Sequence, residues 1–180
     1  SACLVGSEMC IRDRAWAALM HRWGKLTLDA RVFPAAALAM DRPNPRNALG
    51  TALLSSATAC ADISDGLAQD LGHILERSGV DADVLWDAVP KHPALAALSQ
   101  EQQVEAAMSG GDDYELVFTA PADKRGLIEQ ASISALTPVT RIGRIVEKKP
   151  SGAPLAIRDA SGRPLFLPVQ GFDHFAQSAD

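Results

Sequence analysis

Thr58-Ala59-Cys60-Ala61-Asp62-Ile63-Ser64-Asp65-Gly66-Leu67 joins a mostly apolar run to a short polar turn, and the residues on either side of it set the fold. Thr58 to Ile63 reads as a strand. After the turn, Leu67, Leu71, Ile74 and Leu75 recur at helical spacing while Gln69, Asp70, His73, Glu76 and Arg77 fall elsewhere. That pattern predicts an amphipathic helix over 66–78, which Gly79 ends. Strand, tight turn and helix in this order belong to a layered protein of sheet and helices.

Working outward, Asp41-Arg42-Pro43-Asn44-Pro45-Arg46 is turn-rich, and Pro45 is placed to enter a helix over Ala48 to Ser56. Further upstream, Ala15 to Met20 reads as a helical remnant and Leu26 to Phe33 as loop or short strand. Downstream, Asp83 to Ala88 reads as a strand, Glu101 to Met108 as a short helix, and Tyr114 to Ala120 as a strand with Tyr114, Leu116 and Phe118 on one face. Pro121 opens a further helix to about Ala131. Val139 to Val146, Leu155 to Ile157 and Leu165 to Leu167 are short strands separated by turns at Ser151-Gly152 and Ser161-Gly162. The expectation is an α/β (α+β) fold, a mixed β-sheet packed with helices rather than a strictly doubly wound sheet.

A chain of 180 residues with 47% hydrophobic but only 5% aromatic content fits one aliphatic-rich domain. The formal charge of −5 argues against a nucleic-acid partner, which calls for a basic patch. No stretch reaches the roughly 18 apolar residues of a membrane span. Cys3, Cys10 and Cys60 are too few and too irregular for a disulfide framework or zinc site, which fits a cytoplasmic protein. Residues 1–14, Ser1 to Arg14, resemble a translated sequencing adapter. They are set aside from fold reasoning, so the natural sequence is expected to start near Ala15 with an N-terminal part missing.

Two carboxylate clusters carry the chemistry. In the first, Ser64 and Asp65 stand at a helix N-terminus, where free backbone N–H groups and the dipole favour an anion. Simple capping of the helix by Ser64 or Asp65 is the competing reading. Capping leaves Asp62 unexplained, since an unpaired carboxylate at the end of an apolar strand is costly and a cation would resolve it. The second cluster is Gly110-Gly111-Asp112-Asp113-Tyr114-Glu115. It reads as a polar turn, but Asp112, Asp113 and Glu115 repel one another unless arginines or a metal lie nearby. Carboxylate oxygens suit Mg²⁺ and glycines admit a close anion, so the two clusters together point to phosphoryl chemistry.

His21, His73, His92 and His174 share no ligand spacing with a cysteine and read as structural or exposed. There is no Gly-x-x-x-x-Gly-Lys-Ser/Thr loop and no Gly-x-Ser-x-Gly elbow. Gly171-Phe172-Asp173-His174-Phe175 offers two aromatics, either a hydrophobic latch or a stacking platform for a flat heterocycle.

Taken together, Ala61 to Leu67 with Asp70-Leu71-Gly72-His73-Ile74, Ser109 to Leu116, and Gly171 to Phe175 resemble the thiamine-monophosphate kinase family of the aminoimidazole-ribonucleotide-synthetase superfamily. Arg42-Pro43-Asn44-Pro45-Arg46 resembles the Arg-Pro-x-Pro-Arg stretch that precedes the first motif there. The resemblance runs from about Met40 to the C-terminus. It implies transfer of the γ-phosphoryl of ATP to thiamine monophosphate, giving thiamine diphosphate; direct in-line transfer without a phosphoenzyme is the expectation drawn from the lack of an obvious nucleophilic Cys, His or Lys in a motif. It implies that this chain is the C-terminal domain, over 15–180. The missing N-terminal half would supply further metal-binding aspartates and a homodimer interface, and the isolated fragment would be inactive. By position, Asp62 and Asp65 would hold Mg²⁺, Ser64 would contact nucleotide, Asp112 would contact the thiamine phosphate, and Phe172 would pack on its rings. The family often has Glu where Asp112 stands and Tyr or Trp where Phe172 stands. A sibling ATP-dependent synthetase, a non-catalytic nucleotide or thiamine-phosphate binding module, and a purely structural domain remain the alternatives.

Overall fold

The structure, a computed structural model, describes residues 2–7, 18–24, 27–31, 33–42, 44–91, 95–96, 98–110 and 114–165. Its strands are β1 (Ala2–Ser7), β2 (Ala59–Ile63), β3 (Val80–Leu85), β4 (Glu115–Pro121), β5 (Val139–Glu147), β6 (Leu155–Arg158) and β7 (Pro164–Leu165). They form one sheet in the order β2-β4-β1-β5-β3-β6-β7. Neighbours are antiparallel except β3 and β6, which run parallel. The helices are α1 (Phe33–Asp41), α2 (Asn47–Leu53), α3 (Leu67–Ser78), α4 (Gln100–Ser109) and α5 (Arg125–Ser134). The mixed sheet with helices matches the expected fold class.

Period-two alternation divides the sheet between two cores. Leu67, Leu71, Ile74 and Leu75 of α3 and Val104, Ala107 and Met108 of α4 pack with Leu4, Val84, Val117 and Ile142 of the strands. On the other cluster, Leu49 and Leu53 of α2 and Ile128 and Ala131 of α5 pack with Val5, Phe118 and Ala120. Adjacent residues of one strand, Leu4 and Val5, thus enter different cores. A third cluster joins Ala18, Leu28, Ala36, Leu95 and Ala106.

Several expectations need correction. The opening segment, set aside in the sequence, supplies an interior strand, third of the seven: β1 pairs Val5 with Phe118 of β4 and Cys3 with Arg144 of β5. Its apolar run, with Leu4 fully buried, suits that slot whatever its origin. The alanine-rich α1 was not anticipated, although alanine is the best helix former. Strand β3 begins earlier than expected and ends before Trp86–Ala88, which form a 3₁₀ turn. Two aspartates inside β3 disguise it, because Asp is a poor strand residue. Tertiary partners override that preference: buried Asp81 accepts the Lys149 N–H at 2.9 Å, and Asp83 pairs with Arg144 at 3.0 Å. Pro121 closes β4 rather than opening a helix; Ala122–Lys124 make a 3₁₀ turn and α5 follows. The expected strand at Leu165 to Leu167 is β7 at Pro164–Leu165, and residues 166–167 lie outside the described residues.

Capping fixes helix ends as elementary chemistry demands. Ser99 and Gln102 form a reciprocal capping box that opens α4. Gly79, with φ 64°, closes α3 in the left-handed conformation and donates its N–H to Leu75 and Glu76 carbonyls. Gly143 serves a different end. A Cβ there would collide with the Asp83 carbonyl oxygen of the paired strand, next to a register shift opposite Leu4 and Val5. Gly143→Ala is expected to destabilise the chain by about 1–3 kcal/mol through backbone displacement, read by urea unfolding.

Candidate active-site groove

The first carboxylate of the Ala61 to Gly66 run, Asp62, sits on β2, the edge strand, opposite Leu116 of β4. It opens onto a groove of about 550 Å³ whose lining includes Pro45, Arg46, Asn47, Asp62, Tyr114 and Leu116. The Arg-Pro-x-Pro-Arg stretch, the first carboxylate cluster and the end of the second therefore meet in one concavity. Asp62 is exposed, and its carboxylate has no hydrogen-bond or ion-pair partner among the described residues. The expected burial cost at this position is therefore absent. What remains is a free hard-oxygen donor at the groove.

The groove's floor is tied by a buried ion pair. The Arg46 guanidinium donates through Nε to both Glu115 carboxylate oxygens at 2.9 and 3.1 Å, and its NH2 group lies 2.7 Å from Oε1. Glu115 is fully buried and the Arg46 side chain is 9% exposed. Such a forked geometry is the strong form of the carboxylate–guanidinium contact. It answers one of the repelling acids of the second cluster with an arginine rather than a metal. Sequence reasoning recognised Arg46 only as part of a motif.

Tyr114 precedes β4 rather than sharing its regular alternation, as had been expected. It is left-handed at φ 53° and 39% exposed in the groove. A non-glycine residue held there costs about 1–2 kcal/mol. Leu116 and Phe118 do share the second core cluster.

The turn after β2 departs from both readings made of it. Gly66 occupies the cap position of α3, without a side-chain cap, so neither Ser64 nor Asp65 caps the helix. Nor are the loop amides free for an anion. The Asp70 carboxylate, buried in the first turn of α3, accepts the N–H groups of Ser64, Asp65 and Gly66 on Oδ2 at 2.9, 3.1 and 3.2 Å. Helical periodicity had placed Asp70 with the polar face; its only visible signal was a carboxylate one turn after a polar loop. Asp65 receives a long 3.4 Å contact from Gln69.

Asp112 and Phe172, the expected substrate contacts, lie outside the described residues, as do Asp113, His92 and His174. His21 is structural: its Nδ1 accepts the Leu28 N–H at 3.0 Å and its ring lies 4.5 Å from that of Phe33. His73 is exposed. Partial desolvation, and secondarily the Asp62 charge, push the Cys60 thiol above its ordinary range. Little thiolate is then present near neutral pH, which makes Cys60 a poor nucleophile.

As to cations, the described residues contain no group of three or more His, Cys, Asp or Glu able to hold a metal. Two carboxylates nevertheless fit Mg²⁺, which commonly binds through one or two protein carboxylates and completes its shell with water and substrate phosphates. Asp62 and Asp65 offer that donor chemistry.

The family model described as AIR synthase related protein, C-terminal domain, matches residues 14–154. The chain belongs to this family. This AIR synthase related domain is 42% identical over 139 residues to the thiamine-monophosphate kinase of Haemophilus influenzae, covering 76% of this chain and 42% of that protein. It superposes on the crystal structure of the thiamine-monophosphate kinase of Stenotrophomonas maltophilia K279a with a TM-score of 0.74 and 37% identity, covering 87% of this chain and 49% of that one. The fold is also shared with hydrogenase maturation protein HypE, at a TM-score of 0.66 and 18% identity, over 96% of this chain and 54% of that one. The domain thus spans about half the length of the relatives it matches.

Proposed function

We propose that this domain is the C-terminal part of an enzyme that transfers the γ-phosphoryl of ATP to thiamine monophosphate, forming thiamine diphosphate. The observation that carries the reading is the groove, where Arg46, Asp62 and Tyr114 bring together three of the stretches that resemble thiamine-monophosphate kinases. The identity to kinases of that name supports the same substrate pair. On this reading residues 1–14 are adapter-derived, 15–180 are the C-terminal domain, and an N-terminal domain outside this sequence forms the homodimer of a cytoplasmic enzyme.

Asp62 and Asp65 would hold Mg²⁺, which supplies neutralisation of the charge on the transferring phosphates. Ser64 would meet the nucleotide through its hydroxyl, because its amide is already bonded to Asp70. Asp112 and Phe172 would address the thiamine phosphate. The acceptor oxygens are already acidic, so positioning matters more than a general base. With Cys60 held as a thiol and no cysteine or lysine within the quoted motifs, direct in-line transfer is the expected route. Trapping a phosphorylated protein after mixing with labelled ATP would overturn that route.

The test of the function is ADP release by the intact-length protein with ATP, Mg²⁺ and a series of acceptors. Release that depends on thiamine monophosphate supports the kinase. Because a fold of this kind also occurs in hydrogenase maturation protein HypE, release dependent on a different acceptor would move the reaction to a sibling chemistry and leave the fold standing. ATP binding with no release in any case would mark a binding module.

A further inference from the structure

We propose that Asp70 is the positioning residue of the carboxylate loop: an internal anion that occupies the loop's three amides and so holds Asp65, three residues after the strand-borne Asp62, in place for Mg²⁺. Three consecutive N–H groups, from Ser64, Asp65 and Gly66, converge on the single oxygen Oδ2 at 2.9, 3.1 and 3.2 Å. Successive amides turned toward one point make a cradle for an anion. Here the anion is built in, with Asp70 only 6% exposed. The bonded amides belong to the cap residue Gly66 and the two residues before it, so the contact fastens the loop onto the first turn of α3. A negative charge in the first turn is stabilised by the helix dipole as well.

The arrangement has a chemical consequence. An anion cradle that is already filled does not bind a phosphate, so the loop acts on the nucleotide through its side chains and the cation they hold. Asp70 itself acts through the loop and stays out of contact with substrate. Partners of this kind, one shell behind metal-holding residues, change metal affinity by roughly 10- to 100-fold when lost. The part of the inference that concerns Mg²⁺ rests on the proposed kinase reading; the part that concerns the loop amides does not.

Amide hydrogen exchange on the 180-residue chain tests the second part directly. Residues 64–66 should be protected in the parent chain, less so in Asp70→Asn, and unprotected in Asp70→Ala. Added formate, which fits the vacated space, should restore protection in Asp70→Ala. Unchanged exchange at 64–66 in both variants would overturn the proposal, as would exchange in Asp70→Asn that rises equally across the sheet. In the intact-length enzyme, Asp70→Asn should raise the Mg²⁺ concentration for half-maximal rate about 10-fold or more, with the KM for thiamine monophosphate nearly unchanged. A merely structural residue would lower the melting temperature without moving the Mg²⁺ dependence. If the parent enzyme shows no thiamine-monophosphate-dependent turnover, the kinase reading fails while the exchange result still decides the role of Asp70.

Discussion

Asp62→Asn and Asp65→Asn, each made in the intact-length enzyme, are expected to cut turnover on the order of 10²- to 10³-fold while leaving the fold standing. The magnitude is that of removing one preorganised electrostatic contact from a phosphoryl-transfer site. The preserved fold follows from position. Asp62 is exposed on an edge strand and has no side-chain partner among the described residues, so its replacement should shift stability by no more than about 0.5 kcal/mol. Among the described residues the Asp65 side chain has only the long Gln69 contact to lose. Steady-state rates over a Mg²⁺ series, together with urea unfolding of the same variants, check both halves. Parent-like turnover in both variants would refute the assignment of these carboxylates to the metal.

Arg46→Met is expected to have the largest effect on stability, about 3–5 kcal/mol by chemical denaturation. It leaves Glu115 as a fully buried carboxylate without its forked guanidinium partner, and removing one member of a buried pair costs about that much. The double variant Arg46→Met/Glu115→Leu should recover most of the loss, because replacing both charges by apolar groups of similar volume is often close to neutral. A loss under about 1 kcal/mol in the single variant would mean that Glu115 is solvated or otherwise compensated, contrary to its burial. The pair ties the start of α2 to the start of β4, so the groove that holds Tyr114 should loosen along with it.

Helix α3 was legible because two independent signals agree: apolar residues at helical spacing and a glycine that the left-handed closing position favours. The same periodicity misplaced Asp70, since a pattern of hydrophobic residues cannot register a carboxylate that turns back to collect amides. Strand β3 was shifted because Asp81 and Asp83 look unlike strand residues until Lys149 and Arg144, far along the chain, are brought to them. The Arg46–Glu115 pair spans 69 residues and leaves no local trace. The same holds for the groove, whose parts come from three separate stretches. The motifs could name Asp62 as a chemical residue, but only the pairing of β2 with β4 shows that it shares a concavity with Tyr114. The opening segment shows the reverse case: resemblance to a translated adapter set residues 1–14 aside, yet the apolar run Ala2–Ser7 forms an interior strand of the sheet.

The most direct measurement is transfer of label from γ-labelled ATP into thiamine diphosphate by the intact-length protein with Mg²⁺. Label in thiamine diphosphate, dependent on added thiamine monophosphate and lost in Asp62→Asn, is the predicted result. Hydrolysis or label in another acceptor, with none in thiamine diphosphate, would contradict the account.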